Sequence, residues 1–305
     1  MFANGVFFML SFLRRTKSIS RIAIDPPAPS PDRVGLAIVL IVKNEETHIG
    51  EWARFHLKAG VRHFYVYDNG STDGTLVQIV AAAGVQNVTV IPWNQKLRDG
   101  DSGAEIHNQV LAYAHAVLNF GDQFRWMTFI DADEFLVPKS GETLIDCLAH
   151  LDNEVNISLP WHMFGRNGFE EPPEGGIIAN YTRRHPDPMS SLKGMCNFKM
   201  IVDPCHVTAL KVHSIETDGS TASVNDRGEK ASASDRKEPE FYSADHIQLN
   251  HYYTRSNSEL QAKIKRGSNM TRNAASHLRR VMRKVEQTEA ESVEDLVAKR
   301  WFESR

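Results

Sequence analysis

The residues best suited to chemistry are Asp131-Ala132-Asp133, because alternate side chains of an extended segment point to the same side and two carboxylates can converge on one cation. A hard cation such as Mg2+ or Mn2+ takes oxygen ligands and is commonly held by one or two carboxylates, with phosphate and water completing its shell. A diphosphate suits that arrangement. D-x-D triplets are common in solvated turns, and this one stands out because it ends the apolar run Trp126-Met127-Thr128-Phe129-Ile130 and continues into Glu134-Phe135-Leu136. A second acidic turn, Asp68-Asn69-Gly70-Ser71-Thr72-Asp73-Gly74-Thr75, closes another apolar run. Asx-turn and helix-capping chemistry accounts for its composition. An acid at the edge of a second strand can in addition accept hydrogen bonds from a nucleobase or ribose. Lys43-Asn44-Glu45-Glu46 follows the run Leu36 to Val42, so a third polar turn completes a crevice of nucleotide size.

The elements that position these turns follow from periodicity. Leu36 to Val42 is continuously apolar and reads as a strand buried on both faces. Thr47 to Ala59 has helical spacing and stops at Gly60; a strand over residues 63–67, a helix over 75–83 and a strand over 88–92 follow. A helix over 101–119 then leads to the strand 126–130. This alternation predicts an α/β fold with an open, mostly parallel sheet flanked by helices, whose ligand site lies outside the carboxyl ends of the strands. Beyond Pro160 the pattern loosens into short strand candidates at 156–159, 177–181, 197–202 and 246–253, read as a smaller acceptor-side half. Residues 217–240 are polar and are expected to form a mobile loop. The tail is helical in propensity, and its basic cluster Leu278 to Lys284 is expected to be a solvated face.

Composition narrows the function classes. With 305 residues, 41% apolar, the chain can bury a sizeable core, which excludes a disordered or fibrous protein. Lys and Arg total 35 against 38 for Asp and Glu, so no basic excess points to nucleic acid. Cys147, Cys196 and Cys205 are too few and too scattered for a disulfide framework or a structural zinc site, and a reducing, cytoplasmic setting is the expectation. Val6 to Leu13 is apolar and precedes Arg14, Arg15 and Lys17, but it is far shorter than the about 20 residues that span a bilayer. It reads as a disordered leader or, alternatively, a peripheral foothold on a membrane surface. Residues 1–34 are taken as leader and proline-rich linker.

The series IVKNEE (41–46), EWARFHLKAGVRHFYVYDNGSTDGT (51–75), WMTFIDADEFLVP (126–138) and NHYYTRS (250–256) resembles glycosyltransferase families 2 and 92 of the GT-A fold. The resemblance covers residues 35–267, divided into a nucleotide-sugar half (35–160) and an acceptor half (161–267), with 268–305 as a helical tail. It implies transfer of a sugar from a nucleotide-diphosphate sugar, with UDP-sugar the first expectation, to a glycan or glycoconjugate hydroxyl, with inversion and Mn2+ or Mg2+. By that similarity Asp68 contacts the nucleobase, Asp131 the ribose and metal shell, and Asp133 the metal; Asn44, Glu45 and Asp73 join the donor site, and His251 completes the metal site. His206 and His213 are weaker candidates facing the diphosphate. The base that an inverting displacement requires is left among Glu170, Glu171 and Asp187. Trp161, Phe164 and Phe169 can stack on a sugar or pack in the core, and Lys199 and Arg183 can neutralise phosphate or stand as rim charges. Paired aspartates also suit a nucleotidyltransferase or phosphohydrolase, and the crevice alone suits a non-catalytic nucleotide-sugar binder.

Overall fold

The computed structural model describes residues 18–266 and 274–304; the apolar run 6–13 and the basic residues after it lie outside the described residues. The first half runs β1 (Ile22–Ala23), β2 (Leu36–Val42), α1 (Glu46–Lys58), β3 (Val61–Asp68), α2 (Thr75–Ala83), β4 (Val88–Pro92), α3 (Asn108–Phe120), β5 (Trp126–Phe129), β6 (Glu134–Pro138) and α4 (Leu144–Leu148). The second half runs β7 (Asn156–Met163), α5 (Gly176–Asn180), β8 (Arg183–Arg184), β9 (Phe198–Val202), β10 (Val207–Lys211), β11 (Ser214–Thr217), β12 (Ser223–Val224), β13 (Lys230–Ala231) and β14 (Ile247–His251). The tail contributes α6 (Asn257–Arg266), α7 (Ala274–Ala290), β15 (Val293–Glu294) and α8 (Val297–Glu303).

The main sheet has the order β13-β12-β7-β9-β5-β2-β3-β4, and β14 pairs with both β6 and β7. Strands β5, β2, β3 and β4 are parallel, whereas β9 runs antiparallel to both β5 and β7, so the sheet is parallel in its first half and mixed in its second. The apolar run of β2 conceals a period of two. Leu36, Ile38 and Leu40 pack with Trp52, Phe55 and Ile79 of α1 and α2, while Ala37, Val39 and Ile41 pack with Val110, Tyr113 and Val117 of α3. Helices thus cover both faces of the parallel half, which is why its central strand has no polar position. Gly60 ends α1 at φ +89°, and a Cβ there would stand 2.8 Å from Cβ of Thr143.

Five expectations are corrected. The helix expected from 101 begins only at Asn108, because Asp99 accepts the Ser102 N–H at 2.8 Å and Gly103 takes φ +62°, closing a turn first. Residues 177–181 are read as a strand, but 177–180 belong to the short helix α5 and Tyr181 follows it: the Glu51 carboxylate receives the N–H groups of Ile177 and Ile178 at 2.6 and 3.1 Å. The polar segment 217–240 is an ordered sheet edge, not a mobile loop. Buried Asn225 bonds to Glu229 and the Phe241 carbonyl, Asp226 accepts the N–H groups of His246 and Ile247, and the Arg236 guanidinium lies over Phe198. Polar partners there do what apolar burial does elsewhere. Residues 18–34 are likewise attached to the body: β1 pairs with β10, Arg21 meets Glu216 at 2.5 Å, and Arg33 and Arg125 share the buried Asp203. Finally, the basic cluster of α7 is amphipathic, with Arg279, Arg280 and Arg283 exposed but Val281, Lys284 and Val285 buried. Among the described residues no helix is long and apolar enough to cross a membrane.

Candidate active site

The chain leaves β2 in one direction to build β3 and β4, and later returns to place β5 on the other side of β2. That reversal makes a switch point, where open α/β sheets bind ligands beyond their carboxyl ends. The three polar turns lie there. In the first two, backbone groups of the same turn or of its neighbour hold the side chains: Asp68 accepts the Ser71 N–H at 2.9 Å, Asn44 accepts the Thr72 N–H at 2.8 Å, and Asp73 accepts the N–H groups of Thr75 and Glu46 at 3.0 and 3.2 Å. Asn44 itself adopts φ +53°, a left-handed conformation that asparagine tolerates. Gly74 lets the loops close, since a Cβ there would stand 2.2 Å from a Glu46 carboxylate oxygen.

The third turn is held differently. Asp131 is 35% exposed and receives Gln109 Nε2 at 2.8 Å and Lys199 Nζ at 3.1 Å. Glu134 is wholly buried, accepts the Asp131 N–H at 2.7 Å and Trp161 Nε1 at 2.7 Å, and lies 3.3 Å from Lys199 Nζ. Burial pushes its carboxyl upward, and the neighbouring Asp131 and Asp133 charges add to that effect against the pull of Lys199. Lys199, read as a phosphate neutraliser, is therefore a buried counter-ion within the turn. Asp133 is flanked by Lys263 Nζ at 2.8 Å and His251 Nε2 at 3.5 Å. Burial opposes its charge, but Lys263, His251 and Arg255 overcome this and hold the carboxyl well below the usual range. Burial lowers His251 to about 4 despite the attraction of Asp133, so its imidazole is neutral at physiological pH. The β14 register explains the meeting, because His251 is the pairing partner of Glu134.

The structure brings Asp131, Asp133 and His251 together, with Lys199 and Trp161 bonded to the same turn, but leaves the base candidates and His206 and Arg183 with other partners. Glu170 is exposed and accepts Asn257 Nδ2 at 2.8 Å, Glu171 is exposed, and Asp187 accepts the Met189 N–H at 2.8 Å; none pairs with Asp131, Asp133 or Glu134. His206 pairs with Asp218 at 3.0 Å on an exposed turn, whereas His213 packs edge-on to Trp161 with ring centroids 5.1 Å apart. Arg183 binds Ser292 of the tail. Trp161 donates to Glu134, while Phe164 packs on Tyr252 and Phe169 on Tyr181.

Sequence reading missed the cations on the tail side. Arg255 reaches Glu45 at 3.0 Å and Glu259 at 3.6 Å, and Glu259 in turn pairs with His48 of α1. Arg255 adopts φ +50° within the NHYYTRS segment, and that segment was the only signal pointing to it. Lys263 and Lys284 carried none.

A divalent cation fits this donor set in part. Asp133 Oδ1 and a neutral His251 Nε2 converge, but among the described residues no three His, Cys, Asp or Glu side chains are grouped to hold a metal ion. His251 Nδ1 is buried without a hydrogen-bond partner, so the imidazole lacks the outer support that metal-bound histidines usually have. A cation here needs oxygens from a phosphate-bearing ligand and water.

Comparisons with known proteins agree with the motif order. The family model described as glycosyltransferase family 92 matches residues 39–288. A family 92 protein of Oryza sativa subsp. japonica is 28% identical over 155 residues, 49% of this chain and 24% of that protein. One from Ricinus communis is 26% identical over 156 residues, 49% of this chain and 26% of that protein. The chain thus matches about a quarter of the length of these curated relatives. Among solved structures, S. aureus TarS 1-349 aligns at 20% identity over 55% of this chain and 47% of that chain, with a TM-score of 0.34. Glucosyl-3-phosphoglycerate synthase from Mycobacterium tuberculosis, in complex with Mn2+, uridine diphosphate and glucosyl-3-phosphoglycerate, aligns at 18% identity over 42% and 44%, with a TM-score of 0.26. Such scores are too low to carry a functional comparison. The family match rests on firmer ground, since it spans β2 to α7 and takes in the three strand-end turns and the His251 strand: this chain belongs to glycosyltransferase family 92.

Proposed function

We propose that the chain transfers a sugar from a nucleoside-diphosphate sugar to an acceptor hydroxyl, with inversion and with help from a divalent cation. The observation that carries this reading is the acidic turn Asp131 to Glu134 at the carboxyl end of β5, beside the switch point, in a chain of glycosyltransferase family 92. Asp68 lies at the end of β3 and is half-buried, where its free carboxylate oxygen can accept from a nucleobase or ribose. Asn44, Glu45 and Asp73 fix the loops around it. Asp131, the most exposed acid of its turn, faces the ribose side, and Lys199 and Gln109 hold its orientation.

Asp133 and His251 would hold the cation, which when bound stabilises the negative charge that develops on the leaving diphosphate. Glu134 stays inside, fixing the turn through the Asp131 N–H and Trp161. Glu170, Glu171 and Asp187 remain the carboxylates that can take the acceptor's proton. Glu170 is tied to Asn257 at the start of α6, the helix whose Lys263 reaches Asp133.

The test is a panel of nucleotide sugars incubated with the full chain, reading released nucleoside diphosphate with Mn2+, with Mg2+ and with a chelator. Release that needs both an acceptor and a metal supports the reading. Free sugar released without an acceptor would favour a hydrolase, pyrophosphate a nucleotidyltransferase, and bound nucleotide without product a binding protein.

A further inference from the structure

Resting on that donor reading, we propose that Lys263 of α6 and Lys284 of α7 form a two-lysine clamp for the diphosphate of the nucleotide sugar. The tail helices would then be part of the donor site.

The argument begins with Lys284. Its side chain is buried, only 9% of the residue being exposed, and among the described residues no carboxylate lies within ion-pairing distance of its ammonium. Instead Nζ stands 5.0 Å from the Trp161 ring centre and 4.5 Å from that of Tyr253. Ring faces attract an ammonium, but they return only part of the cost of taking it out of water. Lys263 Nζ lies 3.8 Å from the centre of the same Tyr253 ring, so two ammonium groups share one aromatic partner and repel each other. The α7 helix keeps Lys284 there through its apolar neighbours Val281 and Val285, which pack on Leu260 of α6. Folding alone does not favour such a pair.

The pair lies beside the reacting centre. Lys263 Nζ is 2.8 Å from Asp133 Oδ2, and the Trp161 ring under Lys284 packs 4.3 Å from the His251 ring. Lys199 and Arg255 are already paired with carboxylates. Among the described residues Lys284 is therefore the cation of this crevice without a carboxylate partner, and an anion entering beside Asp133 would meet it and Lys263 together. A diphosphate can accept from both ammonium groups through charge-assisted hydrogen bonds. A nucleoside without phosphates gains nothing from them.

Calorimetric titration of the full chain, in the presence of Mn2+, with UDP, GDP, inorganic pyrophosphate and the free nucleosides tests this. Lys284→Met should lose at least ~10-fold in affinity for the nucleoside diphosphate that binds the parent and for pyrophosphate, the scale of one charge-assisted bond, with nucleoside binding unchanged. Lys263→Met should lose affinity in the same direction. Lys284→Arg keeps the charge and the ring contact and should stay within ~3-fold of the parent, for a loss below one charge-assisted bond. Lys284→Gln repeats the neutralisation should the Met variant not fold. A parent that binds a nucleoside diphosphate which the folded neutral variants bind equally well would overturn the clamp and leave the donor reading intact. A parent that binds none of these diphosphates would overturn both.

Discussion

The turns at residues 68–75 and 131–134 both end apolar strands at the same sheet edge, yet their charges are balanced by different means. In the first, Asp68 and Asp73 are satisfied by backbone N–H groups, those of Ser71 and Thr75 within the turn and that of Glu46 from the neighbouring turn. In the second, Asp131 and Asp133 depend on side chains of Gln109, Lys199, His251 and Lys263, which arrive from α3, β9, β14 and α6. A turn held mainly by backbone N–H groups keeps most of its shape whatever side chains surround it. A turn held by distant cations exists only in the assembled fold, and its electrostatics can be tuned by elements with no motif of their own.

That contrast predicts a ranking of effects. Lys199→Met should be the most damaging to the fold, costing about 3–5 kcal/mol in urea denaturation, because it strands the buried Glu134 and Asp131 without their counter-ion. Adding Glu134→Gln to it should recover part of the loss. A Lys199→Met protein as stable as the parent would mean the third turn is held locally after all. Asp133→Asn keeps size and removes charge, and it should lower kcat by at least ~100-fold, the scale of losing one electrostatic stabiliser. Measured nucleoside diphosphate release within a few-fold of the parent would remove Asp133 from the reacting centre.

Acid should weaken both halves of the molecule. Burial lowers His56, on α1, and His162, on β7, to about 3 each. The unfolded chain binds those protons below its ordinary histidine value near ~6.5, while the folded chain refuses them until about 3. Stability is thus complete above that range and falls as the pH drops through it, by about 1.4 kcal/mol per pH unit for each histidine. Urea midpoints at successive pH values measure the slope, and His56→Asn, which can keep one of the bonds to the Trp52 carbonyl and the Leu136 N–H, should flatten it. The smallest effects belong to the first turn. Asp73→Ala should cost about 1–2 kcal/mol through its lost backbone bonds. Asp68→Ala should change stability by no more than about 1 kcal/mol while weakening nucleotide-sugar binding in calorimetry. Unchanged donor affinity in a folded Asp68→Ala protein would confine that turn to a structural role.

The sequence by itself determined the parallel half of the sheet, because burial on both faces forces continuous apolar strands, and amphipathic helices between them leave a period that can be counted. It also determined where the acidic turns fall, since a strand's end and the polar residues that follow it are adjacent in the chain. His251 came within reach through the NHYYTRS motif. The order of segment 217–240 was illegible, because Asn225, Asp226 and Arg236 are buried by hydrogen bonds to distant partners and not by apolarity. So was the strand-like sequence of Ile177 and Ile178, made helical by a carboxylate from α1. Only the tertiary structure decided that Lys199 serves Glu134 and Asp131, that Arg255 ties Glu45 to Glu259, and that Lys263 and Lys284 face Tyr253 beside Asp133. A lysine in a helix has the same local preferences whether its ammonium meets water or a carboxylate, and the choice is made by packing between elements that the chain places far apart.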